Sequence, residues 1–99
     1  MSNLYITAFK DAKEVALGLP ALEEKVVYTS TSVQSSALPV QNPKITYRVR
    51  LFSDADCFVT WGDNPTALID GTEGRPLGAN NPEYFAIDNG QKIAVINRA

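Results

Sequence analysis

The last half of the chain, residues 47–96, is a close succession of short apolar runs and tight turns that leaves little room for helices. Its clearest element is the pair of apolar runs at residues 84–87 and 92–96, separated by Asp88-Asn89-Gly90-Gln91. An Asn-Gly pair tolerates positive φ at both central turn positions, which a type I′ turn requires. The sequence therefore predicts a β-hairpin that turns at Asn89 and Gly90.

Two more strands precede this pair. Residues 45–51 alternate apolar side chains with Thr46, Arg48 and Arg50, which is the period of a strand with one buried face. Residues 57–61 are largely aromatic and β-branched, so they predict a second strand, and residues 53–56 between the two predict a hairpin loop. The glycines and prolines of residues 69–82 predict a long loop, with a short strand at 75–77.

The first 44 residues are less regular. Residues 4–9 and 26–33 predict strands. The segment between them is rich in helix-favouring residues, but Gly18 and Pro20 interrupt it, so we expect only one helical turn, at residues 21–24. Residues 34–43 contain two prolines and predict an extended connector. This pattern indicates an extended N-terminal strand or arm over residues 1–25 and a β-sandwich domain over residues 26–99.

Six to eight short strands at regular spacing are typical of a sandwich or a small barrel. We therefore predict an all-β fold: a small single-domain antiparallel β-sandwich or jelly roll with an irregular N-terminal arm. A length of 99 residues allows one thin hydrophobic core. The N-terminus lacks the features of a signal peptide, and no apolar run is long enough to span a bilayer, so we expect no membrane partner.

The residue types that usually carry catalysis are scarce. The chain has no histidine, which removes the commonest general base and metal ligand. Its one cysteine, Cys57, lies in an apolar run and is expected to be a buried structural thiol. Asp54 and Asp56 lack the ligand spacing of a calcium loop. We expect no enzymatic activity, no catalytic residue, no cofactor and no metal.

Charge and aromatic placement bear on partners. With 9 Lys+Arg against 11 Asp+Glu, the net charge is −2 and no basic stripe is visible, so we expect no nucleic-acid partner. Alternation places Tyr47 and Trp61 on apolar faces, which favours the core over a sugar-stacking platform that would also include Tyr84 and Phe85. The residues that we predict to contact a partner are Tyr5, Phe9, Tyr28, Arg48 and Arg50.

The C-terminal half carries a recognisable order of motifs. In sequence order these are Arg48-Val49-Arg50-Leu51, Cys57 to Trp61 with Gly62, Asn64-Pro65-Thr66-Ala67, Pro76-Leu77, Ala79-Asn80, Glu83-Tyr84-Phe85 and the closing run from Gly90 to Ile96. Each motif alone is ordinary strand and turn chemistry, and the order and spacing carry the signal. This half of the chain resembles small jelly-roll or sandwich virion proteins of tailed bacteriophages, many of them head decoration or cement proteins.

The resemblance implies a structural role in a virion that is assembled in the host cytoplasm. It implies two partners: the major capsid protein and further copies of this chain. A homo-oligomer would bury surface that a thin core leaves exposed, and a trimer suits a local threefold axis of an icosahedral shell. The alternatives are a neck-, tail- or fibre-associated virion module and a carbohydrate-binding sandwich.

Overall fold

The architecture is that of a computed structural model, which describes residues 2–18, 20–68 and 74–98. One short helix, α1, spans Ala12–Leu17. The strands are β1 (Ser2–Phe9), β2 (Leu22–Tyr28), β3 (Val33–Gln34), β4 (Thr46–Ser53), β5 (Cys57–Gly62), β6 (Arg75–Leu77), β7 (Glu83–Asp88) and β8 (Lys92–Asn97). Of the long loop predicted at residues 69–82, residues 69–73 lie outside the described part.

The strands form two antiparallel four-stranded sheets, which confirms the all-β sandwich predicted from the sequence. Sheet A has the order β2-β1-β4-β7, and sheet B has the order β3-β8-β5-β6. Along each strand of sheet A, buried and exposed residues alternate, as expected for a sheet with one face in the core. The side chains between the two sheets form one continuous hydrophobic core.

The strand order is that of a jelly roll in which the first strand takes the place of the last. In a jelly roll the chain's final strand lies between the first and third strands of one sheet. Here β1 lies between β2 and β4, and the remaining strands follow the jelly-roll order if counting starts at β2. The chain crosses from one sheet to the other at every connection except β1–β2 and β5–β6.

These crossings correct the two hairpin predictions. β7 and β8 belong to different sheets, as do β4 and β5, so neither pair is a hairpin. At the Asn89-Gly90 turn only Gly90 has positive φ, so the turn is not type I′. Its polar groups bind the preceding connector instead: Asn89 N–H donates to Ile45 O, and Gly90 N–H donates to Leu38 O. The predicted strand at 26–33 also divides between sheets, into β2 and β3.

The N-terminal segment differs from the extended arm expected for residues 1–25. β1 pairs with β2 along one side and with β4 along the other, so it is an interior strand of sheet A. Leu4, Ile6 and Ala8 are almost fully buried in the core. The expected boundary at residue 25 falls inside β2, whose other residues continue the same sheet. Burial of alternate apolar side chains is what holds this segment in the sandwich.

Local capping places the helix earlier than predicted. The helical turn expected at residues 21–24 is absent, because residues 22–24 belong to β2. α1 begins after Asp11, whose side chain accepts a hydrogen bond from Glu14 N–H over 2.9 Å. It ends at Gly18, which adopts the left-handed conformation with φ of 66° and caps the last carbonyls.

The outer faces of the two sheets differ. On sheet B, Ala94 and Ile96 of β8 point away from the main core but remain buried, because Ala67 and Phe58 pack against them. The segment after β5 therefore covers part of this sheet. On sheet A the outward residues of β2, β1, β4 and β7 are exposed or only half-buried over most of their length. This difference makes sheet A the place to look for a contact surface.

Candidate interaction surface

The outer A face is the set of side chains that point away from the core on the four strands of sheet A. Its central members are Glu23, Lys25 and Val27 of β2, Tyr5 and Thr7 of β1, Arg48, Arg50 and Phe52 of β4, and Tyr84 and Ala86 of β7, and the same register continues at the strand ends through Asn3, Phe9, Thr46 and Asp88. The strand register puts Lys25, Tyr5 and Phe52 in one row across the sheet. A neighbouring row contains Glu23, Thr7, Arg50 and Tyr84.

An aromatic and basic cluster lies at the centre of this face. The rings of Tyr5 and Phe52 have their centroids 6.2 Å apart and are tilted by 49°. The Arg50 guanidinium lies 5.3 Å from the centroid of the Phe52 ring, within the range of a cation–π contact. Together with Lys25 and Glu23 these side chains line a shallow groove of about 600 Å³. The groove therefore offers flat apolar surfaces beside charged groups.

The arginines of the outer A face have no carboxylate partner among the described residues. The ion pairs among the described residues join Lys10 to Glu14 and Arg98 to Asp56, and both lie outside this face. Arg48 is exposed, and Arg50 is half-buried against Phe52. Asp88, at the far end of β7, accepts a hydrogen bond from the Thr46 hydroxyl over 2.8 Å. The outward side of β4 consequently presents two arginines, Arg48 and Arg50, although the chain is acidic overall.

Three of the five predicted contact residues are brought together here. Tyr5, Arg48 and Arg50 all lie on the outer A face. Phe9 has the same outward register, opposite Arg48, but only 7% of it is exposed. It ends β1 just before α1, which contacts that strand, so this position belongs to the packed part of the molecule rather than to the exposed surface.

Tyr28 corrects the expectation of an exposed partner contact. It is fully buried at the end of β2. Its hydroxyl is hydrogen-bonded to the Ser53 hydroxyl and donates to Ala55 O over 3.3 Å. Burial raises the pKa of the Tyr28 hydroxyl above its ordinary value, because the ionised form would lose hydration. Tyr28 therefore joins β2 to the end of β4 within the interior.

Phe52 is the member of the cluster that the sequence reasoning missed. The alternation found in residues 45–51 continues by one step, so Phe52 shares a face with Arg48 and Arg50. Extending the predicted strand by one residue would have placed Phe52 beside the two arginines. Its packing on Tyr5 required the pairing of β1 with β4, which no local pattern specifies.

The four residues of the possible sugar platform do not assemble into one surface. Tyr47 is fully buried, whereas Tyr84 points outward and is 56% exposed. Trp61 and Phe85 pack against the core from the two sheets, with ring centroids 5.0 Å apart. The guanidinium of Arg75 covers this pair, 5.4 Å from the Trp61 ring and 5.9 Å from the Phe85 ring. Tyr47 therefore lies in the core and Trp61 packs against it, as alternation predicts.

The remaining reactive groups are held in structural contacts. Cys57 is buried, and burial raises the pKa of its thiol. The Asp54 carboxylate accepts hydrogen bonds from Asn3 N–H and the Asn3 side-chain amide, each over 2.9 Å, and these bonds lower its pKa. Within residues 2–18, 20–68 and 74–98, no three His, Cys, Asp or Glu side chains are grouped closely enough to hold a metal ion.

Comparison of the chain with protein-family models, curated proteins and solved structures found no match in any of the three. In the described part of the chain, no helix combines the length and apolar character that crossing a bilayer requires.

Proposed function

We propose that this chain is a non-enzymatic structural protein of a bacteriophage virion, a decoration or cement protein that binds the head shell as a homo-oligomer. The observation that carries the proposal is the outer A face. It exposes aromatic side chains beside arginines that lack a described carboxylate partner. Aromatic residues and arginine are enriched at protein–protein contacts, where they supply area and directed hydrogen bonds.

The two arginines of the outer A face favour an acidic partner surface. Arg48 and Arg50 lie side by side on β4 and point the same way. An acidic patch on the major capsid protein would complement them, and such pairing sets orientation more than affinity. Tyr5 and Phe52 next to them would supply the apolar contact area.

The resemblance of residues 48–96 to small virion proteins of tailed phages supports the same role. The jelly-roll strand order agrees with the fold that this resemblance implies. A sandwich of this size has a thin core, so it gains stability by burying further surface against a shell and against other copies.

Copy number per particle is the first test. Quantitative mass spectrometry of purified phage particles should find hundreds of copies if the protein covers the capsid lattice. About a dozen copies or fewer would place it at the neck or tail, because those assemblies have low-order cyclic symmetry. Absence from the particles would overturn both virion assignments.

The second test links attachment to the face itself. Heads that lack the protein would be incubated with the purified chain or with the double variant Arg48→Glu/Arg50→Glu. We expect the double variant to lose at least about tenfold in affinity, because like charges would oppose the shell. Lys44→Glu is the control for a charge reversal elsewhere on the surface: Lys44 is exposed but lies outside the outer A face. Equal binding by the double variant and the control would reject this face as the attachment surface.

Carbohydrate binding is the second candidate, and the groove between Tyr5 and Phe52 favours it. Sugars stack on aromatic rings and bond to flanking charged groups, and this groove offers both. A glycan screen at millimolar concentration, repeated with Tyr5→Ala, separates the two functions. Binding that Tyr5→Ala abolishes would favour the carbohydrate module, and an empty screen would remove it.

A further inference from the structure

The four sheet edges of the sandwich are not equally protected against pairing. An edge strand presents free N–H and C=O groups, and proteins commonly block such edges with charges, proline or very short strands. β2 carries Glu23, Glu24 and Lys25 in succession. β3 has only two residues, and β6 has three with Pro76 at its centre. Three edges therefore carry a device that discourages addition of another strand.

β7 is the exception. It has six residues and pairs along its whole length with β4, and no other strand in the described part of the chain pairs with it. Its central residues, Tyr84-Phe85-Ala86-Ile87, include no charge and no proline. Its two charged residues, Glu83 and Asp88, stand at the ends of the strand, so the four central residues offer an uncharged template for a further strand.

We propose that a second copy of this chain pairs with β7 through its own β7, antiparallel and about a twofold axis, so that two sheets A become one eight-stranded sheet. In an antiparallel pair, directly opposed residues point to the same face of the sheet. A twofold axis perpendicular to the sheet meets this condition only if one residue lies opposite the same residue of the second copy. Pairing centred on Phe85 places Tyr84 opposite Ala86 and Glu83 opposite Ile87.

Shape and charge favour this register. Tyr84 is 56% exposed, and it would meet the small side chain of Ala86 in the second copy. Ala86 borders a depression of about 440 Å³ that is also lined by Val15 and Arg48, which gives room for the incoming ring. Arg48 would then lie beside the Tyr84 ring of the second copy. No acidic side chain stands directly opposite another, so the paired edge has no like-charge repulsion at its centre.

This inference does not rest on the proposed virion function, because it concerns the isolated protein in solution. It differs from the trimer that the resemblance implies, since a twofold contact closes on itself as a dimer. The dimer is tested on the isolated protein with both arginines in place, so its failure can be distinguished from a failure of head binding.

Sedimentation equilibrium from about 1 μM to about 1 mM measures the association directly. We expect a concentration-dependent dimer that Ala86→Lys weakens at least about tenfold, since it places an exposed charge on the edge. Val27→Lys is the matched control: it adds the same charge to the outward face of the other edge strand of sheet A. A wild-type chain that stays monomeric throughout, or Ala86→Lys with unchanged association, would overturn the proposal.

Cysteine cross-linking tests the register. The double variant Tyr84→Cys/Ala86→Cys should form a covalent dimer under oxidation, because opposed side chains on paired strands are close enough for a disulfide. Ala86→Cys alone should not, and Cys57 is buried and will not compete. Cross-linking by Ala86→Cys alone would overturn the register centred on Phe85.

Discussion

The Ser2 hydroxyl donates a hydrogen bond to the Asn97 side-chain carbonyl over 3.3 Å, so the first strand begins where the last strand ends. β1 belongs to sheet A and β8 to sheet B, and this contact joins the two sheets at one end of the sandwich. Asn97 N–H also donates to Thr29 O, just after β2. In an ordinary jelly roll the last strand of the chain takes this place in the sheet. Here the first strand, β1, takes it.

A circular permutant tests this relationship. The variant would run from residue 20 to 98, continue through a short Gly/Ser linker, and end with residues 2–18. We expect it to fold with a free energy of unfolding within about 2 kcal/mol of the parent, because the linker closes a short gap and every strand pair is retained. Urea unfolding followed by circular dichroism measures this. A permutant without a cooperative transition would contradict the jelly-roll assignment of β1.

Removal of the N-terminal segment tests its place in the core. A chain lacking residues 1–20 loses β1, so β2 and β4 lose their shared neighbour. We expect it to be unfolded. Leu4→Ala, at a fully buried position, should cost about 2–5 kcal/mol, whereas Tyr5→Ala on the outer A face should cost about 0.5–1 kcal/mol. Equal effects of the two substitutions in denaturant unfolding would contradict the interior placement of β1.

The sequence reasoning identified most strands because period-two alternation depends only on which face is buried. The same alternation is satisfied whether two successive strands pair in one sheet or lie in opposite sheets. Ile87 and Ile93 both face the interior, as they would in the predicted hairpin, yet they belong to different sheets. Deciding between these arrangements needs the contacts of Asn89 and Gly90 with Ile45 and Leu38, which lie more than 40 residues away.

The outer A face could also be predicted only in part. The exposure of Arg48 followed from alternation in β4, and Tyr5 lies on the same face. Tyr28 was predicted to be exposed because the residues that follow it, 29–32, are all Thr or Ser, whereas its own position continues the buried register of Val26. Its burial depends on Ser53, a long-range partner for the hydroxyl that no local pattern reveals.

Acid should destabilise the protein through Asp54 and Asp56. Hydrogen bonds from Asn3 to Asp54, and from Ala79 to Asp56 with Arg98 nearby, lower the pKa of both carboxyls from 3.8. Because the folded state favours the ionised form, this stabilisation is present above about pH 4 and is lost as the pH falls through the lowered values. Thermal unfolding between pH 7 and pH 2 should show a shallower acid decline for Asp54→Asn than for the wild type. Asp63→Asn, at an exposed carboxyl, is the control, and an equal change in both variants would argue against the role of Asn3.

Alkali should destabilise the protein through Tyr28. Burial raises the pKa of its hydroxyl above the ordinary 10.0 of an exposed tyrosine, so the unfolded chain loses this proton first as the pH rises. The stabilisation is complete below about pH 9 and declines as the pH passes 10 towards the folded-state value.

Tyr28→Phe should cost about 1–3 kcal/mol at pH 7, because Ser53 loses a buried hydrogen-bond partner. Its free energy of unfolding should nevertheless vary less between pH 9 and pH 11 than that of the wild type, as measured by urea unfolding. Tyr84→Phe removes a hydroxyl from an exposed ring and should leave the wild-type alkaline decline intact. If Tyr28→Phe and Tyr84→Phe decline in parallel, the burial of Tyr28 is not what sets the alkaline limit.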